Sequence, residues 1–302
     1  MIERKTVFVL GAGASEPYGF PLGKKLRWLA YENLAEDNPK SQFFRARFEP
    51  GFVKNFRNDL IGCRLPSVDA LLEHRPEYLE IGKAAIAQAL LPFEENDLFD
   101  SKREQNDWLQ YLRAKMDAPK GEFGKNKISF VTLNYDRSLE QYLFTSLRSS
   151  YNMSSNEAAS QISQLRLIHL HGQLGFLPWQ NHPEAIVPYG SSSESDVWHA
   201  ADQIRVISEA DSEKDTRLLE AQRLLSEAER VIFLGFGYHA TNLTRLNVGT
   251  LKGKTYGSST GFTRAEAGEI AEKFGIFVSL FTHWDALGYL RETGALVLDR
   301  VS

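Results

Sequence analysis

Four short apolar runs in this sequence end in residues able to bind or react, and those ends are where chemistry is to be sought. The first, Thr6–Leu10, runs into Gly11-Ala12-Gly13-Ala14-Ser15. Glycines after a strand let main-chain N–H groups approach a pyrophosphate, and a helix start beyond them adds positive potential. The dinucleotide pattern G-x-G-x-x-G is broken because Glu16 stands where its third glycine would be, and no Gly-Lys-Ser/Thr follows at Walker spacing. The same glycines also suit a plain strand–turn–helix junction that needs φ > 0. Residues 17–23, Pro-Tyr-Gly-Phe-Pro-Leu-Gly, are longer than a turn requires. They read as a loop folding over a ligand, with Phe20 and Pro21 in it.

The second run ends in Thr132-Leu133-Asn134-Tyr135-Asp136. It puts an amide and a carboxylate at the carboxyl end of a strand, the edge at which open α/β sheets bind ligands. Asn134 could hold a water or a sugar hydroxyl, and Asp136 could accept from a carboxamide NH2. Alternatively Asp136 caps the next helix and Asn134 closes the turn. The third run ends in His169-Leu170-His171-Gly172. Period-two alternation points both histidines to one face. Without further cysteine or histidine they make a poor zinc pair. His171 at an exposed strand tip suits a general base, since imidazole titrates near neutral pH; Gly172 would let substrate come close. His169 reads as a hydrogen-bonded edge residue. The fourth run ends in Gly235-Phe236-Gly237, with Asn242 as a cap for the following helix.

The elements that must position these ends alternate. Strands are expected at Thr6–Leu10, 127–133, 165–170, 231–234, near 254–256 and at 276–281. Helices are expected at 24–35, 136–147, 153–163, 196–208, 214–228, 263–274 and 285–292. That alternation predicts an α/β fold: a Rossmann-like parallel sheet with helices on both faces. Residues 36–126 carry mixed-charge helical patterns broken at Pro66, Pro76 and Pro92, and read as a helical insertion within a single domain spanning 1–302. A net charge of −4 speaks against a general nucleic-acid binder. Hydrophobic residues at 42% are enough for a sizeable core. The single cysteine, Cys63, builds neither an internal disulfide nor a four-cysteine zinc site. The apolar stretch near the start is too short for a signal-peptide core or a membrane span, so a cytoplasmic protein is expected.

Taken in order, the four strand ends resemble the sirtuin (silent information regulator) superfamily, and more closely the sirtuin-like domain of bacterial antiphage defence proteins. Gly11-Ala12-Gly13-Ala14-Ser15 is similar to the family's Gly-Ala-Gly-Ile-Ser loop, and Thr132-Leu133-Asn134-Tyr135-Asp136 to its Thr-Gln-Asn-Ile-Asp segment. His171 matches the catalytic histidine, and Gly235-Phe236-Gly237 with Asn242 matches the loop holding adenosine. The resemblance implies that NAD+ is the substrate, with Asn134, His171 and Asp136 catalytic. It implies that Gly11, Ala12, Gly13, Ser15, Phe20, Pro21, Thr132, Gly235, Phe236, Gly237 and Asn242 contact the dinucleotide. Two departures matter. One cysteine cannot build the zinc module usual in protein deacylases, and Pro21-Leu22-Gly23 replaces the usual Asp-Phe-Arg. Both fit the branch that cleaves NAD+ to nicotinamide and ADP-ribose without a metal. A zinc-free deacylase or ADP-ribosyltransferase and a non-catalytic NAD+ or ADP-ribose-binding subunit are the alternatives. Because free-running NAD+ cleavage would kill a cell, control by a homo-oligomer or a separate sensor protein is expected, with 36–126 as the candidate surface.

Overall fold

The computed structural model describes residues 1–95, 106–191, 193–206, 215–275, 277–278 and 284–296. Six strands form one parallel sheet: β1 (Thr6–Leu10), β2 (Ile128–Thr132), β3 (Arg166–His169), β4 (Arg230–Leu234), β5 (Lys254–Gly257) and β6 (Phe277–Val278), in the order β3-β2-β1-β4-β5-β6. The expected extension of the last strand to 276 and 279–281 lies outside the described residues, as do residues 207–208 and 214 of two expected helices. β1 is central and buried at every position, which is why it reads as an unbroken apolar run.

Alternation divides the strand side chains between two layers. Phe8, Leu10, Phe130, Ile232 and Leu234 join one hydrophobic cluster, while Val7, Val9, Val131, Val231 and Phe233 join another. The second cluster is covered by helices Thr216–Glu227, Ala240–Arg245 and Arg264–Phe274. The first is covered by Ser138–Tyr151 and Ala286–Glu292, and by helices that lie between β1 and β2 in the chain. Helices therefore lie on both faces, as the alternation requires.

Between β1 and β2 run helices Gly23–Asn33, Ser41–Arg45, Pro50–Gly62, Val68–His74, Leu79–Leu90 and Trp108–Lys115. Leu79–Leu90 (LEIGKAAIAQAL) is built of strong helix formers and is buried almost all round. It packs against Gly23–Asn33 on one side and Glu194–Gln203 on another. Its side chains belong to the same cluster as Phe8 and Phe130, so these helices thicken one sheet face and share its core.

One ion pair ties this layer to the sheet. Glu94 and Arg137 are both fully buried. Arg137 Nε donates to Glu94 Oε1 at 3.0 Å, and its NH2 donates to the other carboxylate oxygen. NH1 donates to the carbonyls of Val187 (2.6 Å) and Gly175 (3.3 Å). With Pro188 O at 3.5 Å from NH2, a planar guanidinium satisfies five acceptors at once here, as a lysine could not.

Removing one partner strands the other charge in the interior. Arg137→Met is expected to cost about 3–5 kcal/mol in urea unfolding, and the double variant Glu94→Leu/Arg137→Met is expected to recover part of that loss. Simple additivity of the two single losses would refute the pairing.

Candidate active site

Strand register sets the level at which the site forms. Leu10 lies between Thr132 and Leu234, and Thr132 pairs with His169. The residues after each leave the sheet side by side at its carboxyl edge. The crevice between β1 and β4, where the strand order reverses, is the place for a ligand in such a sheet.

Glycines wall this crevice because main chain meets main chain there. A β-carbon on Gly11 would stand 2.5 Å from the Gly235 carbonyl oxygen, one on Gly13 2.9 Å from Gly235 Cα, and one on Gly235 2.0 Å from the Ala14 nitrogen. Gly235 also has a φ of 59°. The Gly11 N–H donates to Leu234 O at 3.1 Å, and the Gly13 N–H to Gly235 O at 3.0 Å. The expectation that these two N–H groups face a pyrophosphate is thereby corrected: they join the two loops. Ala12 and Gly237 are exposed, and Gly13 and Gly235 half-buried, forming the rim.

The segment after the first glycines is not an open loop. It winds through a helical turn, Ala12–Ser15, and a 3-10 turn, Glu16–Tyr18. Trp108 Nε1 donates to Ala14 O at 2.7 Å. Tyr18 OH donates to Asp107 Oδ1 at 2.8 Å and accepts from the Leu109 N–H at 2.9 Å. Phe20 and Pro21, expected to fold over a ligand, are instead buried, with Phe20 against Phe93. Phe236 is likewise interior, between Phe233 and Tyr238. Asn242 is half-buried inside helix Ala240–Arg245, whose cap position is His239, so it is not the expected cap.

Asn134 is the predicted catalytic group that remains partly open to solvent. Its Nδ2 donates to Gly11 O and to Ser15 Oγ, both at 2.9 Å, and its N–H donates to Thr132 Oγ1 at 3.0 Å. These contacts fix the amide plane and leave Oδ1 as the acceptor that a hydroxyl or water can use. Asp136 is buried. Ser15 Oγ donates to its Oδ2 at 2.7 Å, while the Ser138 N–H (3.2 Å) and Oγ donate to its Oδ1. Both oxygens already accept from serines; Ser138 opens the helix Ser138–Tyr151, but the cap position is Arg137, so Asp136 supports that helix start without being the expected cap. Burial raises the Asp136 carboxyl above its ordinary value, against the lowering effect of the serine donors.

The two histidines do not share surroundings. β3 ends at His169 and the chain turns at Leu170, so the alternation expected to carry both rings to one face stops there. His169 Nδ1 contacts Asn134 O at 2.9 Å and its Nε2 contacts Glu140 Oε1 at 2.7 Å. His171 is acted on by Arg245, Arg205 and Asp215 instead. It is only 6% exposed, not at an exposed tip, and its Nδ1 is buried without a hydrogen-bond partner. Burial first, then the nearby arginines, lower its pKa from the ordinary 6.5 to about 4. His171 is therefore neutral at pH 7 and keeps its capacity to accept a proton. Gly172 does not leave room for substrate: with φ 71°, its β-carbon would lie 1.9 Å from Gln203 O.

Sequence reading did not find the pairing of His169 with Glu140, which is 29 positions earlier, in the first turn of the helix after Asp136. Nor did it find the Arg205, Arg245 and Asp215 side chains around His171. A cavity of about 410 Å³ lined by Phe144, Trp179 and Tyr189 lies elsewhere and contains none of the predicted site residues. Among the described residues, no group of three or more His, Cys, Asp or Glu side chains is placed to hold a metal ion. No helix among them is long and apolar enough to cross a membrane.

Residues 128–254 match the family model described as a SIR2-like domain. That segment carries Asn134, Asp136, His171 and Gly235, and the match supports a sirtuin-like relationship and NAD-related chemistry in general. No curated protein matches the chain.

Two measurements check this geometry. Gly235→Ala is expected to lose about 3 kcal/mol or more, while Gly237→Ala, facing only the His239 ring, stays within about 0.5 kcal/mol. The second concerns His171, which binds protons more readily unfolded than folded. Its contribution therefore falls as pH drops from about 6.5 toward 4, by at most about 3 kcal/mol. His171→Asn should remove that loss. A wild-type-minus-variant stability difference that stays flat over this range would refute the buried neutral ring.

Proposed function

We propose that the chain is an NAD+ glycohydrolase that releases nicotinamide and leaves ADP-ribose. The observation that carries this reading is Asn134: a half-open amide pinned by Gly11 O and Ser15 Oγ, at the sheet edge where the β1 and β4 loops abut. The segment matched as SIR2-like supports NAD-related chemistry in general.

In this reading NAD+ lies across the carboxyl edge, with its diphosphate and adenosine along the rim formed by Ala12, Gly13, Gly235 and Gly237. Nicotinamide departs as a neutral molecule, so the leaving group needs no acid. The C–N glycosidic bond breaks with its electron pair going to the pyridine nitrogen, and positive charge develops on the ribose. The protein's work is to hold the ribose and stabilise that charge. Asn134 Oδ1 accepts from a ribose hydroxyl or the attacking water, and neutral His171 takes the water's proton, a contribution worth about 10²–10⁴ in rate. Asp136 acts through Ser15, which it holds against Asn134.

The burial of His171 favours a resting state that needs a trigger, so we assign control to self-association or a separate sensor protein. Depletion of NAD+ in antiphage defence is the role this chemistry would serve. In a nicotinamide-release assay on the concentrated protein, Asn134→Ala and His171→Ala should each lower turnover by about 10²-fold or more while circular dichroism is unchanged. Turnover retained in both variants would refute the assignment. Release that requires an acyl-lysine peptide would favour the deacylase alternative.

A further inference from the structure

The hydrogen bonds of His169 leave little freedom in where its protons lie. A main-chain carbonyl can only accept, so the contact with Asn134 O places a proton on Nδ1. The other nitrogen faces a Glu140 carboxylate oxygen, and both side chains are buried. A proton must lie between these two atoms as well, since a lone pair facing a carboxylate would be repelled. The ring and the carboxylate thus hold two protons between them.

Resting on the reading above, we propose that His169 is a positioning residue: anchored by Glu140, it clamps the main-chain carbonyl of Asn134 and so aims the Asn134 amide oxygen at the ribose. The amide is then fixed from two sides. Gly11 O and Ser15 Oγ hold its NH2 group, and His169 holds its backbone. The imidazole itself stays buried and touches no substrate.

The anchor of the clamp is lost as pH rises. Burial alone would depress the His169 pKa, but Glu140, the contact with Asn134 and more distant Asp136 together raise it above 6.5. Glu140 and Asp136 are the charged groups acting on it. Such a group stabilises fully below about 6.5 and loses that contribution as pH rises through its raised folded value. Above that value the ring keeps its Nδ1 proton, Nε2 repels Glu140, and the anchor is lost. His169 therefore sets an alkaline limb, and His171, lowered to about 4, an acid one.

The test uses the full chain and two kinds of readout. ¹⁵N shifts of the histidine rings should show His169 carrying protons on both nitrogens, or sharing one with Glu140, at pH 7. Glu140→Gln should move that titration down by about one unit or more. His169→Phe keeps a ring without donors; it should lower kcat for nicotinamide release by about 10²-fold with KM changed by less than about threefold. His169→Asn, whose amide can still donate to Asn134 O, should restore part of kcat and return the Asn134 side-chain amide resonances toward wild type. Equal impairment of the Phe and Asn variants, or a His169 titration unmoved by Glu140→Gln, would overturn the proposal. A wild type that never releases nicotinamide would overturn the glycohydrolase reading alone, because the ring shifts and the Asn134 amide resonances still decide whether the clamp exists.

Discussion

Gly11 and Gly235 come so close that neither can carry a side chain, and most of the candidate site depends on that contact. The loop after β1 and the loop after β4 belong to opposite halves of a sheet whose chain order reverses between them. Pressing their backbones together closes the floor of the crevice and spends two N–H groups on the seam. It also leaves Gly11 O available to accept from the Asn134 side chain. A single added methyl group would push apart the surfaces that set the amide's orientation.

From that seam a continuous polar path runs through the interior. Ser138 and Ser15 donate to Asp136, Ser15 also accepts from Asn134, and the Asn134 carbonyl meets His169, which meets Glu140. Five of these side chains, all but Asn134, are buried charged or polar groups that would be costly if unmatched. Satisfied together, they hold a half-exposed amide rigid. His171 stands outside the path, among arginines and Asp215. The two histidines of one short motif therefore serve two environments, one ring held at both nitrogens and the other with an unpartnered Nδ1.

Much of the scaffold is legible in the sequence. β1 is found at the expected residues because a buried parallel strand has no polar face to blur its limits. The helix boundaries at 153–163 and 263–274 shift little, since the capping boxes Ser154/Glu157 and Thr263/Glu266 mark their starts. The site was read less well, and for definite reasons. Alternation holds only to the end of β3 at His169, so it does not place His171, two residues beyond. Glycine spacing alone does not tell a phosphate cradle from close loop packing, and Gly11 and Gly235 show the packing. Asp136 was assigned to a ligand although serines on both sides of it in space satisfy its carboxylate; Ser138 is near in sequence, but Ser15 is 121 positions away.

The placement of β1 also bears on what counts as one folding unit. Within the sheet, β1 fills the gap between β2 and β4, which pair with it and not with each other. Residues 128–254 contain β2, β3, β4 and the first residue of β5, yet lack the strand that joins them. Cut out as a fragment, that segment would present two unmatched ladder edges flanking an empty slot one strand wide. The recognisable stretch is thus an incomplete half, and the first ten residues are the keystone that makes it a sheet.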